Sequence, residues 1–156
     1  ATVAQSEAQR QALWAIRELM PESQKFEGGS IKHDVSVPVS RIPQFIVEAT
    51  KAVENFMPLA RVMSFGHMAD GNLHFNVSQP LGMDKKTYLD QWNEMNAVVF
   101  DVVLKFDGSV SAEHGIGRLK KHQMAEIKST VELQMMRDLK KLFDPGNIMN
   151  PGKVLP

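Results

Sequence analysis

The 156-residue chain is 43% apolar and 23% charged, the composition of a single folded unit with a real core and far from disordered, collagen-like or membrane extremes. Eighteen Lys and Arg balance eighteen Asp and Glu, so the net positive field that phosphate-backbone binding needs is missing and no nucleic-acid partner is expected. With no cysteine, disulfides, thiolate metal sites and thiol catalysis are excluded together, and a reducing, cytoplasmic setting is the expectation.

Residues 3–20 carry Ala12, Ile16, Leu19 and Met20 at helical spacing and stop at Pro21. A strand is expected over Ser30–Val37, where Gly28-Gly29 supply a turn ahead of Ile31, Val35 and Val37. Ser40 is placed to cap a helix with Pro43 in its first turn and an apolar stripe of Phe45, Ile46, Ala49, Val53 and Phe56. Two strands, Leu59–His67 and Leu73–Ser78, then flank Asp70-Gly71, a dipeptide favoured in tight hairpin turns. The run from Met83 to about Phe106 predicts one long amphipathic helix, broken by Gly108. After the glycine-bearing segment Gly108–Gly117, helical sequence resumes through Met124, Ile127, Leu133, Met136, Leu139 and Leu142, and Asn147–Pro156 reads as extended coil. No apolar run approaches the roughly 20 residues that cross a bilayer, so no transmembrane segment is expected. The order predicts an α+β fold: an antiparallel sheet covered by helices, built on a ferredoxin-like β-α-β-β-α unit with additional C-terminal helices.

The hairpin is the most informative stretch. If Asp70-Gly71 are the two central residues of its turn, His67 faces His74 directly. Strand alternation then puts Phe65, His67, His74 and Asn76 on one sheet face, with Met68, Leu73, Phe75 and Val77 on the other. Two opposed imidazoles can converge on one cation. Glu113, in Ser111–Gly117, is the candidate third ligand of a two-His, one-carboxylate set that leaves positions open for substrate. Its neighbour His114 has the residue type of a general base at neutral pH. The same residues also suit surface histidines beside a glycine-rich turn, and the spacing does not separate zinc from manganese or iron.

Five ordered segments carry a family resemblance: Leu13–Glu18, Lys32–Pro38, Gly66–His74, Ser111–Gly117, and Asp144-Pro145 followed by Asn150–Lys153. Together they resemble the C-terminal domain of the FAD-linked oxidases of the vanillyl-alcohol oxidase superfamily, especially the D-lactate, glycolate and D-2-hydroxyglutarate dehydrogenase group. The resemblance implies that residues 1–156 form a single substrate and cap domain of a flavoenzyme, a fragment lacking the FAD-binding domain. It implies a divalent metal (zinc, manganese or iron) on His67, His74 and Glu113, with His114 as catalytic base. Asn76 matches a substrate contact, and Arg17 and Lys32 match cations that hold the substrate carboxylate. Asn150 is a weaker match on the cofactor side. The sequence departs from the family at Ala69, where glycine is usual, and at Pro21, where the hydroxyglutarate enzymes carry a substrate-binding threonine.

The implied reaction is metal-assisted oxidation of a 2-hydroxy acid to a 2-oxo acid, with hydride passing to FAD and onward to an electron acceptor. No glycine-rich dinucleotide motif follows a strand here, so an N-terminal FAD-binding domain of the same protein is the expected partner, and this chain alone should be inactive. Two other readings remain open at this level. One is a flavin-independent metalloenzyme using the two-His, one-carboxylate set; the other is a non-catalytic interaction module.

Overall fold

A computed structural model describes residues 2–156. The chain forms two compact units, one running to Ala112 and the other covering Glu113–Pro156. The first opens with α1 (Glu7–Glu18), started by the Ser6 hydroxyl accepting from the Gln9 amide. Pro21 does more than end it. It sits in the first turn of α2 (Met20–Ser23), where a missing N–H has no helical partner to lose, and a 3-10 turn over Gln24–Glu27 follows.

After β1 (Ser30–Ser36), the expected Ser40 cap is not made: Val39–Arg41 form a 3-10 turn and Arg41 takes the capping position without a side-chain bond. Its guanidinium instead lies 4.5 Å from the centre of the Phe106 ring. Then come α3 (Ile42–Phe56), β2 (Arg61–His67) and β3 (Asn72–Ser78). The long helix expected from Met83 is interrupted. It forms α4 (Lys85–Leu89), capped by the Asp84 carboxylate, and α5 (Trp92–Lys105). Between them the Gln91 amide bonds to the Tyr88 carbonyl, three residues back. That single tightened turn leaves the apolar period intact.

The strands pair in the order β1-β3-β2, all neighbours antiparallel. Helix α3 carries the chain from one edge of the sheet to the other, and β3 fills the slot between as the hairpin partner of β2. This is the split β-α-β arrangement expected for a ferredoxin-like unit. On one face Ile31, Val35, Leu73, Phe75 and Val77 are buried with Phe45, Ala49 and Val53 of α3 and Met95, Val99 and Val103 of α5. The Phe45 ring meets Phe75 and Phe106 edge-on, each with centroids 5.8 Å apart. His33 belongs to this core face. Its Nδ1 donates to the Phe75 carbonyl at 2.8 Å, which fixes the hydrogen on that nitrogen, and its ring stands edge-on to Phe100. The Tyr88 hydroxyl donates to the Val77 carbonyl, and burial pushes its pKa up to about 12.

The Asp34–Ser36 end of one sheet edge is covered by the chain itself. Ser36 and Ser109 exchange backbone hydrogen bonds of 3.0 and 2.8 Å, and the Ala112 amide donates to the Asp34 carbonyl at 3.2 Å. Residues 109–112 therefore run as a strap along β1.

In the second unit, α6 (Lys121–Ile127) and α7 (Thr130–Phe143) are separated at Lys128-Ser129. Ser129 and Glu132 form a reciprocal capping box that starts α7. The tail is not the extended coil expected. The Asp144 carboxylate accepts from the Ile148 and Met149 amides at 2.9 Å and pairs with Lys140, and the Val154 amide donates to the Gly117 carbonyl at 2.7 Å. Among the described residues no helix is long and apolar enough to cross a membrane.

The backbone donor at Ser129, followed by the Lys128 ammonium and the Ser129 hydroxyl, lowers the Glu132 pKa from 4.5 to about 2. A lowered folded pKa means the cap contributes stability above about pH 4.5 and loses it as pH falls through about 2. Amide exchange in the first turn of α7 should therefore accelerate across that window. Glu132→Gln, which keeps the box but does not titrate, should flatten the response; an unchanged acid dependence in this variant would disprove the assignment.

Candidate active site

The sheet face opposite the core is polar because strand alternation leaves it every second residue of three strands. Four rows cross it, the first made by Ser30, Ser78 and Arg61. Lys32, Asn76 and Met63 form the second; Asp34, His74 and Phe65 the third; Ser36, Asn72 and His67 the fourth. Since β3 is the middle strand, Asn72, His74 and Asn76 each have a neighbour on either side.

The expected direct opposition of His67 and His74 is not formed. His67 pairs with Asn72, and His74 pairs with Phe65. The connection is a four-residue loop, with a 3-10 turn over Met68–Asp70 and Gly71 left-handed at φ 73°, so Met68 leaves the strand and is exposed instead of joining the core face. Asp-Gly here ends a 3-10 turn instead of forming a two-residue hairpin. The slip is by two residues, so the faces are preserved and both histidines stay on the polar side. They are now diagonal neighbours, a relation of about 7–8 Å that long or aromatic side chains still span. The His74 ring lies 5.3 Å from that of Phe65.

The loop geometry accounts for Ala69. It does not have the positive φ that would favour glycine, whereas Gly71 does, and a Cβ on Gly71 would stand 2.3 Å from the Val37 carbonyl oxygen. Gly66, on β2 opposite Leu73, is equally constrained: a Cβ there would lie 2.3 Å from the Asn72 carbonyl oxygen. Close approach of backbone to backbone is what sets the base of the hairpin.

Lys32 is exposed on β1 and directly opposite Asn76, which is 3% exposed. The Asn76 Nδ2 donates to Gln24 Oε1 at 2.7 Å. Asp34, 4% exposed, lies across from His74 and accepts from the Ser111 hydroxyl at 3.4 Å. Arg17 does not join Lys32. It lines a pocket at the β2 side of the sheet with Met20, Ile46, Ser64, Gly66 and Leu73, while Lys32 belongs to the strand at the opposite edge.

Glu113, His114 and Asn150 belong to the second unit. Glu113 and His114 are exposed on the loop that precedes α6, followed by Gly115 and Gly117 in left-handed conformations of φ 73° and 55°. Asn150, also left-handed at φ 51°, lines an apolar pocket with Met136, Leu139, Met149, Val154 and Leu155.

Sequence reasoning passed over Asp34 and Gln24. Asp34 was within reach of it, because it shares the parity of Lys32 on β1. Gln24 was not: it comes from a 3-10 turn whose position beside β3 no local pattern announces.

An α+β domain that presents one polar, partly buried sheet face is thus the class of structure in hand. The sequence matches the family described as FAD linked oxidases, C-terminal domain, over residues 1–154. It is 40% identical over 152 residues to D-2-hydroxyglutarate dehydrogenase of Stutzerimonas stutzeri (strain A1501), covering 97% of this chain and 32% of the relative. It is 37% identical over 154 residues to the mitochondrial D-2-hydroxyglutarate dehydrogenase of Arabidopsis thaliana, covering 99% of this chain and 26% of the relative. Against the Rattus norvegicus mitochondrial enzyme of that name it is 35% identical over 161 residues, covering 99% and 28%. The chain belongs to the C-terminal domain family of FAD linked oxidases. It spans about a third or less of the length of these relatives.

The hairpin base gives a direct test. Gly66→Ala should destabilise the first unit by about 1–3 kcal/mol in chemical unfolding, because backbone must move to admit the methyl group. Ala69→Gly should cost less than about 1 kcal/mol. Equal stability of Gly66→Ala and wild type would contradict the close approach of β2 and β3.

Proposed function

We propose that this chain is the substrate-binding and catalytic domain of an FAD-dependent dehydrogenase that oxidises a D-2-hydroxy acid to the 2-oxo acid. The observation that carries the reading is the polar face of the sheet, where a lysine, a buried amide and two histidines share one surface in a domain of the FAD linked oxidase family. The names of its relatives make D-2-hydroxyglutarate the first substrate to test.

Donor chemistry supports a divalent metal. His67 and His74 are nitrogen ligands held on one face of a rigid hairpin, and the Glu113 carboxylate is the third ligand in this proposal, on the strength of its Glu-His-Gly motif. When bound, FAD supplies a hydride acceptor and the metal a Lewis acid for the substrate hydroxyl oxygen. The chain's own residues do the rest. Lys32 neutralises a carboxylate, and Asn76, held in one orientation by Gln24, hydrogen-bonds the substrate beside it. His114 takes the hydroxyl proton on its imidazole as the Cα hydride departs, leaving a carbonyl. Arg17, in its separate pocket on the β2 side of the sheet, is left out of this carboxylate pairing, and Asn150 contacts the cofactor side in this scheme.

Two exposed apolar stripes support a further domain as partner. Leu13, Trp14 and Ile16 are exposed on α1, and Val131, Met135 and Leu142 on α7. Surfaces of this kind mark interaction sites. A flavin-binding domain elsewhere in the protein is the proposed occupant, and an electron acceptor reoxidises the flavin.

The test uses the full-length protein under anaerobic conditions. D-2-hydroxyglutarate or another D-2-hydroxy acid should bleach the oxidised flavin spectrum, the L enantiomers should not, and metal should be present at one per chain. His74→Ala should lose the metal and lower kcat/KM by at least about 100-fold. An oxidised flavin untouched by every 2-hydroxy acid in the panel would refute the proposal.

A further inference from the structure

Gln24 is 2% exposed, and its two amide atoms have different fates. Oε1 accepts from Asn76 Nδ2 at 2.7 Å. Nε2 is fully buried, and no acceptor meets it among the described residues. A primary amide nitrogen only donates, and a buried donor is normally satisfied. Nε2 branches from the same carbon as Oε1, so it lies beside the Asn76 amide, at the polar face of the sheet. Directly across from Asn76 is Lys32, which brings a positive charge to the same row.

We infer that Gln24 is a substrate-binding residue: its Nε2 donates to a carboxylate oxygen of the 2-hydroxy acid held between Lys32 and Asn76, while its Oε1 fixes the orientation of Asn76. This rests on the proposed dehydrogenase activity and adds to it a residue from the turn after α2. The chemistry selects the ligand atom. An acceptor of full or partial negative charge satisfies Nε2, and a carboxylate does so while pairing with Lys32. The second bond makes the Asn76 amide directional, since a side chain held through Nδ2 cannot rotate to exchange its oxygen and nitrogen.

Three variants of the full-length flavoprotein separate this role from packing. Gln24→Met keeps the volume and loses both hydrogen bonds; Gln24→Glu keeps the shape and replaces the donor by an acceptor. With D-2-hydroxyglutarate as probe, both should retain wild-type flavin content, with a thermal midpoint lowered by the lost acceptor of Asn76 in Gln24→Met and by the buried carboxylate in Gln24→Glu. KM should rise about tenfold or more in Gln24→Met and further in Gln24→Glu, with kcat changing less than about threefold. Lys32→Ala serves as the reference and should also raise KM. If Lys32→Ala weakens substrate while both Gln24 variants keep the wild-type KM, the inference about Gln24 is wrong and the dehydrogenase reading stands. If wild-type flavin is not bleached by any 2-hydroxy acid, the activity itself is wrong, and Gln24 falls with it. Should the Gln24 variants fail to fold, the wild-type protein crystallised with 2-oxoglutarate decides: Nε2 within about 3.2 Å of a ligand oxygen supports the inference, and a separation beyond about 4 Å overturns it.

Discussion

The register of β3 against its two neighbours is the constraint on which the first unit depends. Because side chains alternate, the same pairing that sends Leu73, Phe75 and Val77 into the core sends Asn72, His74 and Asn76 to the other face. A slip by one residue would exchange the two sets, burying imidazole and amide among Phe45, Val53 and Val99 and exposing aromatic rings. Core packing therefore enforces the chemistry of the polar face without any polar contact having to specify it. The close backbone approach at Gly66 and the left-handed turn at Gly71 hold the hairpin end of that register.

Much of this was legible in the residues. The β-α-β-β-α order, the antiparallel sheet and the separation of hairpin faces follow from period-two and period-3.6 patterns, which record burial directly. Three local expectations were not met. Asp70-Gly71 suits both a two-residue hairpin turn and the end of a 3-10 turn, and only the pairing of β2 with β3 tells which is formed. The interruption between α4 and α5 preserves the apolar stripe, so the stripe could not reveal it. Arg41 displaced Ser40 at the start of α3 because its guanidinium packs on Phe106, far along the chain. For the turn and for the start of α3, a tertiary contact chose between local conformations that the sequence allows.

The candidate site shows the same division. Lys32, His74 and Asn76 could be grouped by strand parity, and their pairings follow from the sheet. Gln24 could not, because a glutamine after a short helix has no pattern to set it apart until β3 is found beside it. Arg17 was paired with Lys32 by family motif alone, and in the first unit it belongs to a different pocket, on the β2 side of the sheet. The second unit relies on another device: carboxylates that gather backbone amides. Glu132 does so at the start of α7, and Asp144 does so at its end, drawing the tail into turns in place of a free coil.

The strap of residues 109–112 along β1 has a consequence for association between molecules. An unpaired strand edge is a template for foreign β-structure, and sheet proteins blunt such edges to stay soluble. Here one margin of the sheet is already hydrogen-bonded to its own chain through Ser109 and Ala112. Recruitment of an extended peptide, whether a misfolded neighbour or an aggregate seed, is thereby kept from the Asp34–Ser36 end of β1.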